Sequence, residues 1–169
     1  MCSSENIERN LATCEQLINE SKKQGAQLVV LPENFACLAH PTKIHAIKER
    51  IEDGPIQSTI RSIAKRYKIW IVAGSIPLKT DSPSSSTSTT LVYDTDGKIQ
   101  ARYEKIHLFD ATLGSTETYH ESSHTSPGNK IISCDTPVGK IGLSICYDLR
   151  FPELFRCLYD QGVEVYVAP

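Results

Sequence analysis

The sequence of 169 residues has the length of one ordinary domain, with 40% hydrophobic residues, 22% charged residues and a formal net charge of −2. This near balance of charge argues against nucleic acid or an anionic membrane surface as the main partner. No stretch approaches the roughly 18 apolar residues of a membrane span, and the N-terminus lacks the basic start and apolar run of a signal peptide. We therefore expect a cytoplasmic protein with free thiols.

The first half of the chain alternates predicted helices with short apolar strands. Apolar residues recur at helical spacing in residues 6–23, and the run QLVVL at 27–31 is typical of a strand buried on both faces. A second amphipathic helix is predicted at 56–67, followed by a second buried strand at 69–74. Residues 79–90 are rich in Ser and Thr and lack an apolar period, which indicates an exposed loop.

The second half continues with strands and one helix. Strands are predicted at 90–94, 98–104, 131–135 and 140–145 and in the final segment VEVYVAP, and a helix is predicted at 151–160. The TDG turn at 95–97 makes the first two of these strands a β-hairpin. Residues 105–130 are predicted to be irregular. Helices that alternate with strands predict an α/β fold in which helices cover a sheet.

Three residues with catalytic chemistry follow predicted strands, namely Glu33 in LVVLPENF, Lys105 in RYEKIHLFD and Cys146 in GLSICYDLRFPE. Ligands of open α/β sheets gather beyond the carboxyl ends of the strands, so these side chains can meet in one pocket. Cys146 is the candidate nucleophile, and we expect the following helix N-terminus and Lys105 to lower the pKa of its thiol. The alternative is an inert buried cysteine, the commoner fate of a free thiol.

Glu33 and Lys105 have complementary predicted roles. Glu33 is the candidate general base, which takes the proton of the thiol and later activates a water molecule. The ammonium of Lys105 and the backbone N–H of Tyr147 are candidate donors to the oxyanion that forms during attack on a carbonyl. Taken singly, a surface-loop glutamate and a lysine that protects a strand edge are the alternatives.

The segments LPENF, YEKIHLFD and GLSICYDLRFPEL, in this order, resemble the nitrilase superfamily of carbon–nitrogen hydrolases. The similarity covers almost the whole chain, including DGP at 53–55, AGS at 73–75 and SPG at 126–128. Within the superfamily, HLFD and CYDLRFPE are most similar to the omega-amidase and deaminated-glutathione-amidase group. The resemblance implies an α-β-β-α sandwich that dimerises through helices near the nucleophile and uses no metal or organic cofactor.

The resemblance also implies a catalytic triad, which Glu33, Lys105 and Cys146 match. It implies a second glutamate that helps to hold the lysine and position the substrate, and Glu121 matches that residue. The implied reaction is hydrolysis of the amide of a small carboxylic acid through a cysteine thioester, with release of ammonia. The expected partner is therefore a small-molecule amide.

Arg150 follows the nucleophile closely and is a candidate for binding a substrate carboxylate through two parallel hydrogen bonds. Its position alone supports equally well a structural ion pair with Asp148 or Glu153. Together with Tyr147, Arg150 completes the set of predicted substrate-binding residues.

Relative to the family pattern, the chain lacks the strand that normally precedes the CSS segment, and it stops soon after the nucleophile. Residues 1–169 are therefore interpreted as a single incomplete carbon–nitrogen hydrolase domain, and we expect this piece alone to have little or no amidase activity. The full-length form is expected to be a homodimer or a higher homo-oligomer. A catalytically inactive fragment or interaction subunit of the same fold is the alternative.

Two hypotheses lie outside this superfamily. A papain-like cysteine protease would use His107, His120 or His124 as its base, but no C-G-S-C-W-like segment precedes a helix. A zinc-binding module would take His120, His124, Cys134 and Cys146 as ligands, but their spacing fits no tight zinc knuckle.

Overall fold

The computed structural model describes residues 1–113 and 117–169. Its helices are α1 (Ile7–Lys23), α2 (Pro41–Ala46), α3 (Pro55–Tyr67) and α4 (Pro152–Asp160). Its strands are β1 (Leu28–Val30), β2 (Trp70–Lys79), β3 (Ser86–Tyr93), β4 (Ile99–Glu104), β5 (Asp110–Leu113), β6 (Glu117–His120), β7 (Ser133–Thr136), β8 (Gly139–Leu143) and β9 (Val165–Val167). Short 3-10 turns lie at Glu121–Ser123 and Cys146–Arg150. In these ranges no helix is long and apolar enough to cross a membrane.

The strands form two main sheets and one hairpin. The first sheet has the order β1-β2-β3-β4, with β1 and β2 parallel and the other pairs antiparallel. The second sheet has the order β7-β8-β9, with β8 and β9 parallel, and β5 pairs with β6 on its own. Parallel neighbours need a crossover connection, which the segment containing α2 and α3 provides in the first sheet and α4 provides in the second.

Three hydrophobic clusters show how these layers are stacked. The largest joins α1 and α3 to one face of the first sheet, with Ile18 completely buried in it. The second lies between the sheets, where Val92 and Leu143 pack in the same cluster. In the third, Leu158 of α4 packs close to Gly142 of the second sheet. The layer order is therefore helices, sheet, sheet, helix, which confirms the predicted α/β fold and its α-β-β-α arrangement.

The prediction of an exposed loop at 79–90 is confirmed only for its middle, where residues 81–84 are exposed between the strands. It is wrong for residues 86–90, because β3 begins at Ser86. The side chains of Thr87, Thr89 and Thr90 are buried. Their hydroxyls find partners inside the sheet: those of Thr87 and Thr89 lie 2.7 Å apart, and Thr90 donates to a backbone carbonyl of β2. Polar composition does not indicate exposure where hydroxyl groups are satisfied in this way.

Three further differences concern short elements. Residues 105–130 are not irregular throughout, because the β5–β6 hairpin and a 3-10 turn lie within them. The prediction that β1 is buried on both faces is also wrong, since β1 is an edge strand and Val30 is 42% exposed. Helix α2 was not predicted from the sequence, and it has no buried residue that would produce an apolar period.

Candidate active site

Lys105 lies between two carboxylates. Its Nζ atom is 3.0 Å from Glu33 Oε1 and 2.9 Å from Glu121 Oε2, and its side chain is only 2% exposed. Loss of solvation is the largest single influence on the pKa of Lys105 and lowers it, but the charges and hydrogen bonds of the two glutamates together raise the pKa above its usual value. The buried ammonium is thus compensated, as a buried charge requires, and it stays charged at neutral pH.

The residues directly before and after Glu33 both contact strand β2. A side-chain carbon at Gly74 would lie 1.9 Å from the carbonyl oxygen of Pro32, so only glycine permits this approach. On the other side, the N–H of Asn34 donates to Ser75 Oγ at 2.9 Å. A register shift between β2 and β3 at this point brings residues 74 and 75 against the loop. The AGS segment therefore has a structural role in placing the candidate base.

Lys105 is positioned through its backbone by two neighbouring segments. Its N–H donates to the carbonyl of Ser88 in β3 at 2.9 Å, and its carbonyl accepts the N–H of Gly128 at 2.8 Å. A side-chain carbon at Gly128 would lie 2.3 Å from the carbonyl oxygen of Glu104. The glycine of the SPG segment thus allows this turn to pack against the chain at Lys105.

Glu121 begins the 3-10 turn after β6. Besides binding Lys105, its Oε2 atom accepts the backbone N–H of Phe109 at 2.6 Å. These contacts connect the β5–β6 hairpin, which Phe109 immediately precedes, to the lysine. The predicted second glutamate is therefore in direct contact with the candidate electrophilic group.

Cys146 is the first residue of a 3-10 turn after β8, and its φ angle is +45°. A residue with a β-carbon in this left-handed region is strained by roughly 1–3 kcal/mol unless local contacts compensate. The N–H of Cys146 donates to the carbonyl of Pro169 at 2.8 Å. The residue itself is exposed, so a small molecule can reach its sulfur.

The pKa of the Cys146 thiol is raised to about 11. Loss of solvation contributes most to this increase, followed by the negative charge of Glu33, while Lys105 acts in the opposite direction. The expectation that the pKa is lowered is therefore wrong, because loss of solvation and the two carboxylates together outweigh the single ammonium. The same charges show that the sulfur lies within electrostatic reach of Glu33, Lys105 and Glu121.

The sequence predicts no catalytic part for Asp148, which the structure places between the segment around Lys105 and the turn that carries Cys146. Its carboxylate is completely buried and accepts hydrogen bonds from Tyr103 Oη at 2.7 Å and from the N–H of Ile145 at 2.8 Å. The backbone N–H of His107 lies 3.0 Å away and its Nδ1 atom 2.7 Å away. The only sequence signal is an acidic residue within an apolar segment two positions after the candidate nucleophile.

The two predicted substrate-binding residues lie on the same turn as Cys146. The ring of Tyr147 contacts those of Phe109 and Phe151 edge to face, with centroids 5.0 and 5.5 Å apart. Within the described part of the chain, the N–H of Tyr147 donates to no protein acceptor. Arg150 is exposed and forms no ion pair within residues 1–113 and 117–169, so the alternative of a structural pair is not observed there.

The two hypotheses outside the superfamily find little support in the geometry. His107 Nδ1 binds Asp148, and its ring stacks on Phe151 with centroids 3.7 Å apart, so this imidazole is engaged away from the thiol. His124 Nδ1 lies 3.1 Å from Thr125 Oγ1. Among the described residues, no three His, Cys, Asp or Glu side chains are arranged to hold a metal ion, so the proposed zinc ligands do not converge.

The family model described as carbon-nitrogen hydrolase matches residues 1–169. The chain belongs to this family. It is 42% identical over 171 residues to the deaminated glutathione amidase of Yersinia enterocolitica, covering all of this chain and 59% of that protein. It is 36% identical over 162 residues to the omega-amidase NIT2 of Homo sapiens, covering 95% of this chain and 57% of that protein. The chain thus spans less than two thirds of these carbon–nitrogen hydrolases.

Solved structures of nitrilase-superfamily members have the same fold. The NitFhit protein of C. elegans superimposes with a TM-score of 0.89 at 30% identity, covering all of this chain and 42% of that one. Nit3 of Saccharomyces cerevisiae, a member of branch 10 of the nitrilase superfamily, superimposes with a TM-score of 0.84 at 30% identity, covering 99% of this chain and 60% of that one. The resemblance predicted from the three sequence motifs is confirmed.

Proposed function

We propose that this carbon–nitrogen hydrolase chain carries the active site of a thiol amidase. The substrate class is the amide of a small carboxylic acid, the intermediate is a thioester on Cys146, and the products are the acid and ammonia. The observation that carries the proposal is the buried Lys105 held between Glu33 and Glu121, with the accessible sulfur of Cys146 within reach of their charges. Relatives named as amidases support the same reaction class.

In the first step, Cys146 attacks the amide carbon while Glu33 takes the proton of its thiol. The raised pKa of Cys146 supports this coupling, because the sulfur is protonated at neutral pH and needs a base at the moment of attack. The carbonyl oxygen becomes an oxyanion, which the ammonium of Lys105 and the backbone N–H of Tyr147 stabilise.

Collapse of this intermediate breaks the carbon–nitrogen bond. Glu33 returns the proton to the leaving nitrogen, ammonia departs, and an acyl thioester remains on Cys146. In the second step, Glu33 takes a proton from a water molecule that attacks the thioester, and the same proton restores the thiol as the carboxylic acid leaves. Glu121 keeps Lys105 in place throughout, because its Oε2 atom lies 2.9 Å from the ammonium.

Arg150 is proposed to bind a carboxylate at the far end of the substrate. Its guanidinium is exposed on the nucleophile turn and has no ion-pair partner within the described residues, so it is available to an acidic ligand. Replacement by Gln is expected to raise the concentration of a short dicarboxylic monoamide that half-saturates acylation of Cys146, with the maximal acylation rate little changed. Propionamide, which has no carboxylate, is the control substrate. An equal loss with both substrates would contradict this role.

The thioester is the direct test of the proposed function. The chain is mixed with a monoamide of glutaric acid, quenched in acid and weighed by mass spectrometry, while released ammonia is measured in parallel. We expect an acyl adduct that peptide mapping places on Cys146, even if steady-state turnover is slow. Cys146→Ala should abolish the adduct, whereas Cys157→Ala, which removes another exposed thiol, should retain it. Absence of both an adduct and released ammonia with folded protein would refute the proposal.

A further inference from the structure

We infer that Asp148 is a positioning residue that holds the nucleophile turn and the Lys105 segment in one reactive arrangement. The inference rests on the proposed function, because it concerns the same thiol and ammonium. Asp148 itself touches no reacting group. It acts through the backbone before Cys146 and through the residues on either side of Lys105.

The contacts of Asp148 divide evenly between its two oxygens. Oδ1 faces the backbone N–H and the Nδ1 atom of His107, two residues after Lys105. Oδ2 accepts the hydroxyl of Tyr103, two residues before Lys105, and the N–H of Ile145, the residue before Cys146. One carboxylate therefore connects the end of β4 in the first sheet to the turn that follows β8 in the second.

This connection helps to hold the backbone of Cys146 in its strained conformation. The φ angle of +45° is a strained conformation that persists only where neighbouring contacts enforce it. The two backbone N–H groups at the turn are held by Asp148 Oδ2 on one side and by the Pro169 carbonyl on the other. Loss of the Asp148 acceptor would allow the turn to relax and the sulfur to move away from Glu33 and Lys105.

The burial of Asp148 is hard to explain by packing alone. Its side chain has no exposed surface, and within residues 1–113 and 117–169 no lysine or arginine pairs with it. A buried carboxylate is costly unless all of its acceptor sites are used. The ring of His107 is also fixed by parallel stacking on Phe151, with an interplanar angle of 7°. A buried polar cluster whose hydrogen bonds are all satisfied is rigid, so it can hold a strained nucleophile in one conformation.

The variant Asp148→Asn keeps the size of the side chain but removes half of its accepting capacity. Either orientation of the amide turns an NH2 group toward two of the four donors. We expect thioester formation to slow by about 100-fold, the effect of a displacement of about 1 Å in a catalytic group, with KM little changed. The pH profile of Cys146 alkylation by iodoacetamide should also move to lower pH, since the sulfur leaves the negative charge of Glu33.

Tyr103→Phe provides a milder variant if Asp148→Asn does not fold. It removes one donor and keeps the ring, so we expect about a five-fold slowing, the value of one ordinary hydrogen bond, and a smaller shift of the alkylation profile. Asp135→Asn, at an exposed aspartate in β7, is the matched control and should match the wild type. Circular dichroism and thermal unfolding measure the folded fraction of each variant.

The two readouts separate the possible outcomes. Folded Asp148→Asn and Tyr103→Phe proteins with wild-type acylation rates and alkylation profiles would overturn the inference. Lower thermal stability with an unchanged alkylation profile would overturn it as well, because Asp148 would then be only structural. If amides acylate neither the wild type nor the variants, but the alkylation profile shifts, the proposed function fails while the positioning role stands.

Discussion

The two sheets contribute to the site in different ways. The first sheet, which places Glu33 and Lys105, is covered by α1 and α3 on one face and by the second sheet on the other. The second sheet, which leads to Cys146, is covered mainly by α4, and its third strand exposes Val165 and Tyr166 by 41% and 42%. Glu33 and Lys105 thus belong to a sheet that is packed on both faces, whereas Cys146, the candidate nucleophile, follows a sheet that is covered by fewer elements. We expect substitutions in the first sheet to affect both chemistry and stability, and those in the second to affect chemistry or association.

The largest effect is expected from Glu33→Gln, which keeps the shape of the base but removes its charge. Thioester formation should slow by about 10²–10⁴-fold, the usual contribution of a general base. The pKa of Cys146 should fall from about 11 toward that of a free thiol, because the charge of Glu33 raises it. The rate of alkylation by iodoacetamide against pH measures this change, with the exposed Cys157 in the same digest as the reference.

This variant should therefore make the thiol more acidic and the enzyme less active. The combination would distinguish a base that acts during attack from a carboxylate that merely perturbs the thiol. Unchanged acylation in Glu33→Gln, or an alkylation profile that moves to higher pH, would contradict the assignment of Glu33 as the base.

Lys105→Met tests how much the buried ammonium contributes to the stability of the first sheet. Removal of the ammonium leaves two carboxylates facing each other, and breaking a buried ion pair costs about 3–5 kcal/mol of unfolding free energy. We expect the lower end of that range, because Glu33 and Glu121 are 25% and 19% exposed and partly screened by water. Urea denaturation of the two proteins measures the difference, with Lys140→Met on β8 as a control.

The pH dependence of this loss has a definite sign. The pKa of Lys105 is raised in the folded chain, so its stabilising contribution is complete below the pKa of a free lysine, about 10.4. The contribution declines as the pH rises through the higher folded value. The stability difference between wild type and Lys105→Met should therefore shrink above about pH 10.4. A difference that grows in this range would contradict the ion-pair explanation.

Gly74→Ala tests the contact that places Glu33. The added methyl group would lie 1.9 Å from the Pro32 carbonyl oxygen, so the loop must move. We expect a loss of about 2–3 kcal/mol of unfolding free energy, typical of overpacking, and slower acylation. Gly25→Ala is the matched control, because Gly25 also has a positive φ angle but has no neighbour within 4 Å. It should lose about 1 kcal/mol and retain its rate of acylation. Equal effects of the two substitutions would show that backbone strain alone is involved.

Part of the geometry of the site could be predicted from the sequence, whereas the catalytic roles of its residues stay predictions. Glu33, Lys105 and Cys146 each follow a strand with a strong apolar signal, and strand ends converge in this fold class. Glu121 was found only through the resemblance to a known superfamily, because the β5–β6 hairpin that leads to it has no clear apolar alternation. Apolar strand patterns therefore predict which strand ends carry the candidate residues, but periodicity does not predict the segment that leads to Glu121.

The energetics of the site could not be predicted in the same way. The sign of the Cys146 pKa shift depends first on how far the sulfur is desolvated and then on whether Lys105 or the two glutamates dominate there. Both depend on distances of a few ångströms. Asp148 has only a weak local signal, since two of its donor residues, Tyr103 and His107, lie 45 and 41 residues away in the sequence. Long-range polar contacts leave no periodic pattern in a sequence.

The smallest effect on chemistry is expected at α4, which covers the second sheet. Tyr159 is 72% exposed there, beside the exposed Tyr166, and this apolar surface is proposed to contact a second copy of the chain. Tyr159→Lys should weaken concentration-dependent association in sedimentation velocity but change the unfolding free energy of the monomer by less than about 0.5 kcal/mol. Leu17→Lys on α1, a partly exposed apolar residue of the other layer, is the control and should leave association unchanged.

If the wild type stays monomeric at every concentration, this surface is not used for self-association. If Leu17→Lys weakens association equally, the contact is not specific to the nucleophile-bearing layer.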